Sequence, residues 1–310
     1  MIITVTLNPA VDKTVFVPGF AVDAVNRVER VVLDPGGKGL NVSKSAQALG
    51  AQTICLGILG SDTGEYIARA LDQMQLRHHM VRVEAPTRTN TKVVDLRLGT
   101  NTDINEPGAE VSEQTVQAVW QSIEAYACEG DTVVFAGKNP PGTPTDLLAR
   151  WTNALQKKGV HVCLDTVGEP MLLAMEQNPC VIKPNVEELE ELMQCSLPDE
   201  TAVVGAAREL THRGIELVAV SMGGDGAVFV TKDQAVRTQC PKVKVVSTVG
   251  AGDSMMAAIA VGLEQGLSLE EIARRATATA TATVQVEGSK PASLAQVEET
   301  IPQIIIRPVQ

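Results

Sequence analysis

Short runs of β-branched and other apolar residues alternate along most of this chain with longer stretches whose apolar positions recur every three or four residues. Runs of the first kind read as strands buried on both faces, and stretches of the second kind as the amphipathic helices that cover them. Strands are expected at 2–7, 53–59, 81–83, 132–136, 161–164, 180–182 and 217–221, with an antiparallel edge at 227–231. Helices are expected at 42–49, closed by Gly50, and at 64–74, 112–127, 144–158 and 200–212, with another opening at Asn185. A capping box, Ser268 to Glu271, starts a last long helix, and a β-rich run at 243–246 feeds through glycines into a helix before it. Two places break the alternation. Segments 15–17 and 26–33, and then 93–98 and 102–105, are short and polar-alternating with no helix between the members of each pair. Such segments suit a small, partly exposed sheet beside the main one.

Composition fits this picture. Only 3% of the 310 residues are aromatic while 44% are hydrophobic, so the core is built from Val, Ile, Leu, Ala and Met. A net charge of −11 offers no basic field to recruit nucleic acid or an anionic membrane. No apolar run is long enough to span a bilayer and the first strand begins at once, so a cytoplasmic location is expected. The six cysteines stand singly without Cys-x-x-Cys spacing and read as reduced, and the four histidines show no metal-ligand spacing. There is no internal repeat or linker at which to divide the chain, which reads as one domain over 1–310.

The candidate chemistry lies in the loops. In Val249-Gly250-Ala251-Gly252-Asp253-Ser254 a glycine-rich turn opens a helix, whose unpaired N–H groups make an anion site. Asp253 at that mouth is either the helix N-cap or a general base for an attacking hydroxyl, and the segment alone allows both. Asp12, in Asn8-Pro9-Ala10-Val11-Asp12, lies past the first strand's carboxyl end, where open α/β sheets keep ligands. Gly36-Gly37-Lys38-Gly39-Leu40-Asn41 is a second glycine-rich loop before a helix, and it is not a Walker loop because Gly follows Lys38. Arg88, Asn90 and Lys92 alternate along one strand and share a face, either toward a phosphate or toward solvent. Asn185 and Glu188 begin a helix, where they either complement its dipole or hold Mg²⁺ through water. Gly223 and Gly226 fit a hairpin or a close approach to a nucleotide, and the small residues of 276–283 leave room for a flat ring or for tight packing. No Gly-x-Gly-x-x-Gly follows the first strand, which counts against a dinucleotide-dependent oxidoreductase.

Taken in order, the Asn8 to Asp12 loop, the Gly36 to Asn41 loop, Lys183-Pro184-Asn185 with Glu188, and the Val249 to Ser254 mouth resemble the PfkB (ribokinase-like) sugar kinases. Within that family the chain is most similar to bacterial 1-phosphofructokinases and tagatose-6-phosphate kinases, through Leu7-Asn8-Pro9, Thr87-Arg88-Thr89-Asn90, Ile104-Asn105-Glu106-Pro107-Gly108 and Val246-Ser247-Thr248-Val249-Gly250. The resemblance implies a three-layer α/β/α sandwich around a mostly parallel, doubly wound sheet, with a β lid from about 13–33 and 88–106 through which relatives commonly dimerise. It implies ATP and Mg²⁺, with Asp253 as base and Gly250, Ala251 and Gly252 stabilising the transferred phosphoryl group. It further implies that Asp12, Gly37, Lys38, Asn41, Arg88, Asn90, Lys92 and the lid cation Arg27 bind the sugar phosphate. Asn185, Ser221, Gly223, Gly226, Ser247, Val249 and Gly252 are then expected beside ATP, with Asn185 and Glu188 organising Mg²⁺. Fructose 1-phosphate is the expected substrate, tagatose 6-phosphate the alternative, and a non-catalytic sugar-phosphate sensor the reading of a different class. One departure stands out: Gly137-Lys138-Asn139-Pro140-Pro141-Gly142 carries Lys138 where the family usually has Ser, which places a cation near the sugar.

Overall fold

The computed structural model describes residues 1–309. In chain order, β1 (Ile2–Thr6) is followed by β2 (Ala10–Val17), β3 (Arg30–Gly36), α1 (Lys38–Ala48), β4 (Thr53–Gly60), α2 (Ser61–Gln73) and β5 (His78–Val83). Then come β6 (Arg88–Asp95), β7 (Thr100–Ile104), α3 (Glu113–Tyr126), β8 (Thr132–Ala136), α4 (Leu147–Gln156), β9 (His161–Asp165) and α5 (Glu169–Met175). The rest comprises β10 (Val181–Ile182), α6 (Val186–Met193), α7 (Glu200–His212), β11 (Leu217–Ser221), β12 (Ala227–Val230), β13 (Ala235–Gln239), α8 (Ala251–Glu264), α9 (Leu269–Thr283), α10 (Leu294–Thr300) and β14 (Ile305–Pro308). Among the described residues no helix is long and apolar enough to cross a membrane.

The main sheet has ten strands in the order β14-β13-β12-β11-β10-β9-β8-β1-β4-β5. Seven of them, from β11 through β5, are parallel, and β12, β13 and β14 add an antiparallel edge. Side chains of a strand point alternately to its two faces, and the core divides accordingly. Ile3, Val5, Val133 and Phe135 pack under α3 to α7, whereas Ile2, Val134 and Ala136 pack under α1, α8 and α9. The expected α/β/α sandwich is thereby formed. The chain runs outward from β1 to β4 and β5, then returns to β8 on the other side of β1, so the loops leaving β1 and β8 diverge and open a crevice.

The second sheet has the order β3-β2-β6-β7 and grows out of that crevice. In β2 the residues Asp12, Thr14 and Phe16 share a face with Arg88, Asn90 and Lys92 of β6, because the register pairs Asp12 with Asn90 and Thr14 with Lys92. Val15, Val17 and Val93 form a small apolar cluster on the opposite face.

Several boundaries differ from expectation. Residues 26–29 are irregular, so β3 begins at Arg30. Segment 243–246 is not a strand: Val245 and Val246 are more than half exposed, and with no neighbouring strand their β preference goes unused. The edge instead uses β13 and β14, whose polar residues had concealed them. Arg237 is buried in β13 and pairs with Glu200 at 3.1 Å, which a pattern of hydrophobicity does not report.

Candidate active site

Two helix N-termini meet at the crevice. Helix α1 is entered through Gly37 at φ +119°, where an added Cβ would lie 2.9 Å from Thr6 Cγ2 and 3.0 Å from the Pro9 backbone. Helix α8 is entered through Gly250 at φ +78° in the left-handed region. Glycine at these two positions lets both helix starts turn in sharply, so unpaired N–H groups and the positive ends of two dipoles share one space. The helices are joined along their length by hydroxyls, Ser45 Oγ lying 2.8 Å from Ser254 Oγ, to which Thr283 of α9 also donates at 3.0 Å.

Asp253 sits in the first turn of α8, and Gly250, not Asp253, is the N-cap. The capping role is therefore excluded for its side chain. Its Oδ2 accepts a 2.8 Å bond from Asn41 Nδ2 on α1, and the residue is buried. Burial and the nearby Asp165 charge push its carboxyl up to about 6, against the pull of Lys38, the Asn41 hydrogen bond and Lys183. A carboxylate so placed is mostly ionised at neutral pH yet basic enough to take a proton.

Behind it lies an ion cluster in which Asp165 and Lys183 are buried while Lys38 stays partly exposed to the crevice. Asp165, at the end of β9, receives Lys38 Nζ at 2.8 Å on Oδ1 and faces Lys183 Nζ at 3.3 Å from Oδ2. Burial alone would raise the Asp165 carboxyl, but Lys183 and Lys38 outweigh it and hold it below its ordinary value. For Lys38 the burial cost is likewise outweighed by Asp165, so its ammonium is held above the ordinary range. Lys183 Nζ lies 3.3 Å from the position a Cβ would take at Gly252, directly under the mouth. Asp165 and Lys183 are functional candidates that had received no role from the sequence. Each closes an apolar strand with a charge, and that was the signal.

Two clefts open from this centre. The smaller, about 440 Å³, is lined by Asp12, Gly37, Lys38, Asn41, Arg88, Asn90, Lys92 and Asp253, together with Asp34, Asn101, Asp103, Asn105 and Glu287. The larger, about 960 Å³, is lined by Asn185, Ser221, Gly223, Gly226, Ala251 and Gly252 and by the small side chains of Thr277, Ala280 and Thr281. Thr248 lines both, so the mouth forms the wall between them. Ser247 and Val249, expected beside the nucleotide, face the smaller cleft instead. Val246 and Thr248 line the smaller cleft too, and of the four residues 246–249 Thr248 alone also reaches the larger one.

The cations of the smaller cleft are held in place. Arg88 donates to the carbonyls of Asn8 at 3.0 Å, Glu106 at 2.8 Å and Pro9 at 3.4 Å, and Lys92 pairs with Asp103 at 3.4 Å. Asn90 Nδ2 donates to Asp12 Oδ1 at 3.2 Å, while burial pushes the Asp12 carboxyl up. The carbonyl oxygens of Asn41 and Asn90 are buried without a partner among the described residues, free for hydroxyls of a ligand. Arg27, Lys138 and Glu188 do not line either cleft. Arg27 is exposed on the irregular segment before β3, and Lys138 is exposed after the turn at Gly137.

Asn185 and Glu188 form a reciprocal capping box on α6, with Glu188 N–H donating to Asn185 Oδ1 at 2.6 Å and Asn185 N–H to Glu188 Oε2 at 2.9 Å. That leaves one carboxylate oxygen of Glu188 uncommitted. No cluster of three or more His, Cys, Asp or Glu side chains fit to hold a metal occurs among the described residues.

Compared with known proteins, the chain matches the model of the pfkB family carbohydrate kinase over residues 5–295. The 1-phosphofructokinase of Rhodobacter capsulatus is 40% identical over 278 residues, covering 89% of this chain and 88% of the relative. The 1-phosphofructokinase of Xanthomonas campestris is 38% identical over 281 residues, again covering 89% and 88%. Among solved structures, phosphofructokinase-2 from Escherichia coli in complex with substrates and products superposes with a TM-score of 0.94 at 30% identity, covering 97% of this chain and 98% of that one.

Proposed function

This chain belongs to the pfkB family of carbohydrate kinases, and on that premise we propose that it transfers the γ-phosphoryl group of ATP to the 6-hydroxyl of fructose 1-phosphate, giving fructose 1,6-bisphosphate and ADP. As a ribokinase-like sugar kinase it moves phosphate to a hydroxyl. The observation that carries the rest is the pair of clefts meeting at one wall, with Asp253 on the smaller side and the N–H groups of α8 between them. The choice of sugar phosphate rests on the likeness to 1-phosphofructokinases.

In this reading the larger cleft takes ATP, with adenine against the small side chains of α9 and the phosphates toward Gly223, Gly226 and Gly252. The smaller cleft takes the sugar. Asp12, Asn41 and Asn90 receive its hydroxyls, and Arg88, Lys92 and Lys38 meet its phosphate. Asp253 removes the proton as the 6-oxygen attacks the γ-phosphorus. The bond to the bridging oxygen breaks, ADP leaves with the electron pair, and the proton passes from Asp253 to solvent. Charge developing on the transferred group is met by the N–H groups at Gly250, Ala251 and Gly252, with Lys38 and Lys183 adding positive potential.

The residues present fit Mg²⁺ only as outer partners: Asn185 and one Glu188 oxygen are committed to the cap, and the second Glu188 oxygen remains. That suits an ion that keeps most of its water. When bound, it neutralises charge on the ATP phosphates. Residues 1–310 act in this reading as one kinase domain, with the small sheet as its lid. A homodimer through the lid's outward face accounts for the exposed Val31, Leu33 and Ile104 there, and light scattering tests it. A sensing role without catalysis would leave the placement of Asp253 unexplained.

The test is ADP release from Mg·ATP with fructose 1-phosphate, tagatose 6-phosphate, fructose 6-phosphate and fructose offered in parallel at limiting concentration. Preference for fructose 1-phosphate is expected. Preference for tagatose 6-phosphate would replace the substrate, and no release with any of them would overturn the kinase reading.

A further inference from the structure

Lys44 is a lysine on α1 with 5% of its surface exposed. Its ammonium donates to the carbonyl of Pro35 at 3.0 Å and to the carbonyl and hydroxyl of Ser289, each at 3.1 Å. Three donors thus meet three oxygens, two of them main-chain. Among the described residues no carboxylate lies within ion-pair distance of it. Burial holds its pKa below the ordinary value, opposed by the more distant charges of Asp34, Asp12 and Asp253. An apolar side chain of similar shape would avoid that desolvation, so packing alone does not account for an ammonium here.

Its partners show what the charge holds. Pro35 belongs to β3, at the root of the small sheet. The segment Glu287-Gly288-Ser289 touches that sheet again at the surface, where Arg30, stacked 3.8 Å over the Phe16 ring, donates to Glu287 at 2.6 Å. The same segment reaches the mouth. Ser247 Oγ donates to the Gly288 carbonyl at 3.0 Å and accepts from the Val249 N–H at 3.2 Å, one residue before Gly250.

Resting on the kinase reading above, we infer that Lys44 is a positioning residue whose ammonium fixes the segment Glu287-Gly288-Ser289 between the root of the small sheet and the Gly250 mouth, so that seating of the sheet and alignment of the mouth are mechanically linked. The sugar cleft lies between the joined parts, and the nucleotide cleft touches them only at the mouth, along Thr248, Ala251 and Gly252.

The test compares Lys44→Met, Lys44→Arg and Glu287→Gln with the unaltered protein in three measurements. For Lys44→Met, kcat/KM for the sugar phosphate falls about 10- to 100-fold, the range that small misplacements cost. Lys44→Arg recovers most of the loss, and the Kd of a non-hydrolysable ATP analogue stays within about two-fold, since most of the nucleotide cleft is lined by elements other than the mouth. Combined with Glu287→Gln, the loss is smaller than the product of the single losses, because both act through one segment. Hydrogen exchange, which needs no substrate, speeds up at Val249 as well as around residues 287–289 in Lys44→Met. Unchanged exchange at Val249, a fully multiplicative double variant, or equal weakening of both ligands would overturn the inference. If Lys44→Met does not fold, Glu287→Gln and Ser247→Ala replace it, and multiplicative losses in that pair overturn it equally. A wild-type protein that turned over no sugar phosphate would count against the kinase reading, and the exchange data would still decide the link.

Discussion

Replacing Asn41 by leucine removes one hydrogen bond to the ionised form of Asp253 while nearly keeping the side chain's shape, and the consequence can be worked through. Asn41 Nδ2 donates to Asp253 Oδ2 at 2.8 Å, and the carboxyl stands at about 6 with that bond in place. A hydrogen bond to a charged group contributes about 1.5–3 kcal/mol, and one pKa unit corresponds to about 1.4 kcal/mol, so its loss raises the carboxyl by roughly one to two units. The base is needed ionised, so the acid limb of kcat/KM against pH moves from about 6 to between about 7 and 8. At pH 7 the ionised fraction drops from about nine-tenths to between roughly a half and a tenth, and activity returns as the pH is raised toward 9. Asn41 also lines the cleft proposed for the sugar, so KM rises as well; the decisive readout is the position of the limb, not its height. Initial rates at limiting sugar phosphate between pH 5 and 9, with Mg·ATP saturating, provide it. An acid limb that stays at the wild-type pH in Asn41→Leu would refute the assignment of Asp253 as the titrating base.

Other predictions follow from the same geometry. Asp253→Asn lowers kcat by about 10²- to 10⁴-fold while calorimetry still finds both ligands bound, since the change removes a base and not a contact surface. Asp165→Asn strips the shared carboxylate from Lys183 and Lys38 and costs about 3–5 kcal/mol at neutral pH, measured by urea unfolding. Because the folded Asp165 carboxyl is held below its ordinary value of 3.8, its contribution is complete above that value and is lost as pH falls through the lower folded one. The acid limb of Tm is therefore flatter in Asp165→Asn than in wild type below about pH 4. Gly37→Ala puts a methyl 2.9 Å from Thr6 Cγ2 in left-handed backbone, and a stability loss of about 2–4 kcal/mol is expected in the same unfolding assay.

Where the sequence was informative, it was because one physical requirement left one pattern. Strands buried on both faces must be largely apolar, and β1, β4, β8 and β11 read as such. Helix starts entered at positive φ need glycine, and both mouths were visible for that reason. Reading failed where the deciding neighbour lies far along the chain. The valines of 243–246 look like a strand, but strand preference describes fit to a pleated neighbour and none adjoins them. Strand β13 hides because Arg237 is buried by pairing with Glu200 of α7. Lys183 and Asp165 gained meaning only once β9 and β10 were adjacent, and Lys44 only once Pro35 and Ser289 were brought to it. Ser247 and Val249 line the smaller cleft and not the larger one, a placement the sequence does not reveal because it does not give the direction in which an irregular segment faces.

The central claim is that the two clefts exchange a phosphoryl group across the Gly250 mouth, and phosphorus NMR of one reaction tests it most directly. Purified protein with Mg·ATP and fructose 1-phosphate should yield ADP and, in equal amount, a second sugar phosphomonoester signal coupled to the protons at C6. ADP accompanied only by inorganic phosphate, or an unchanged spectrum from folded protein, would contradict it.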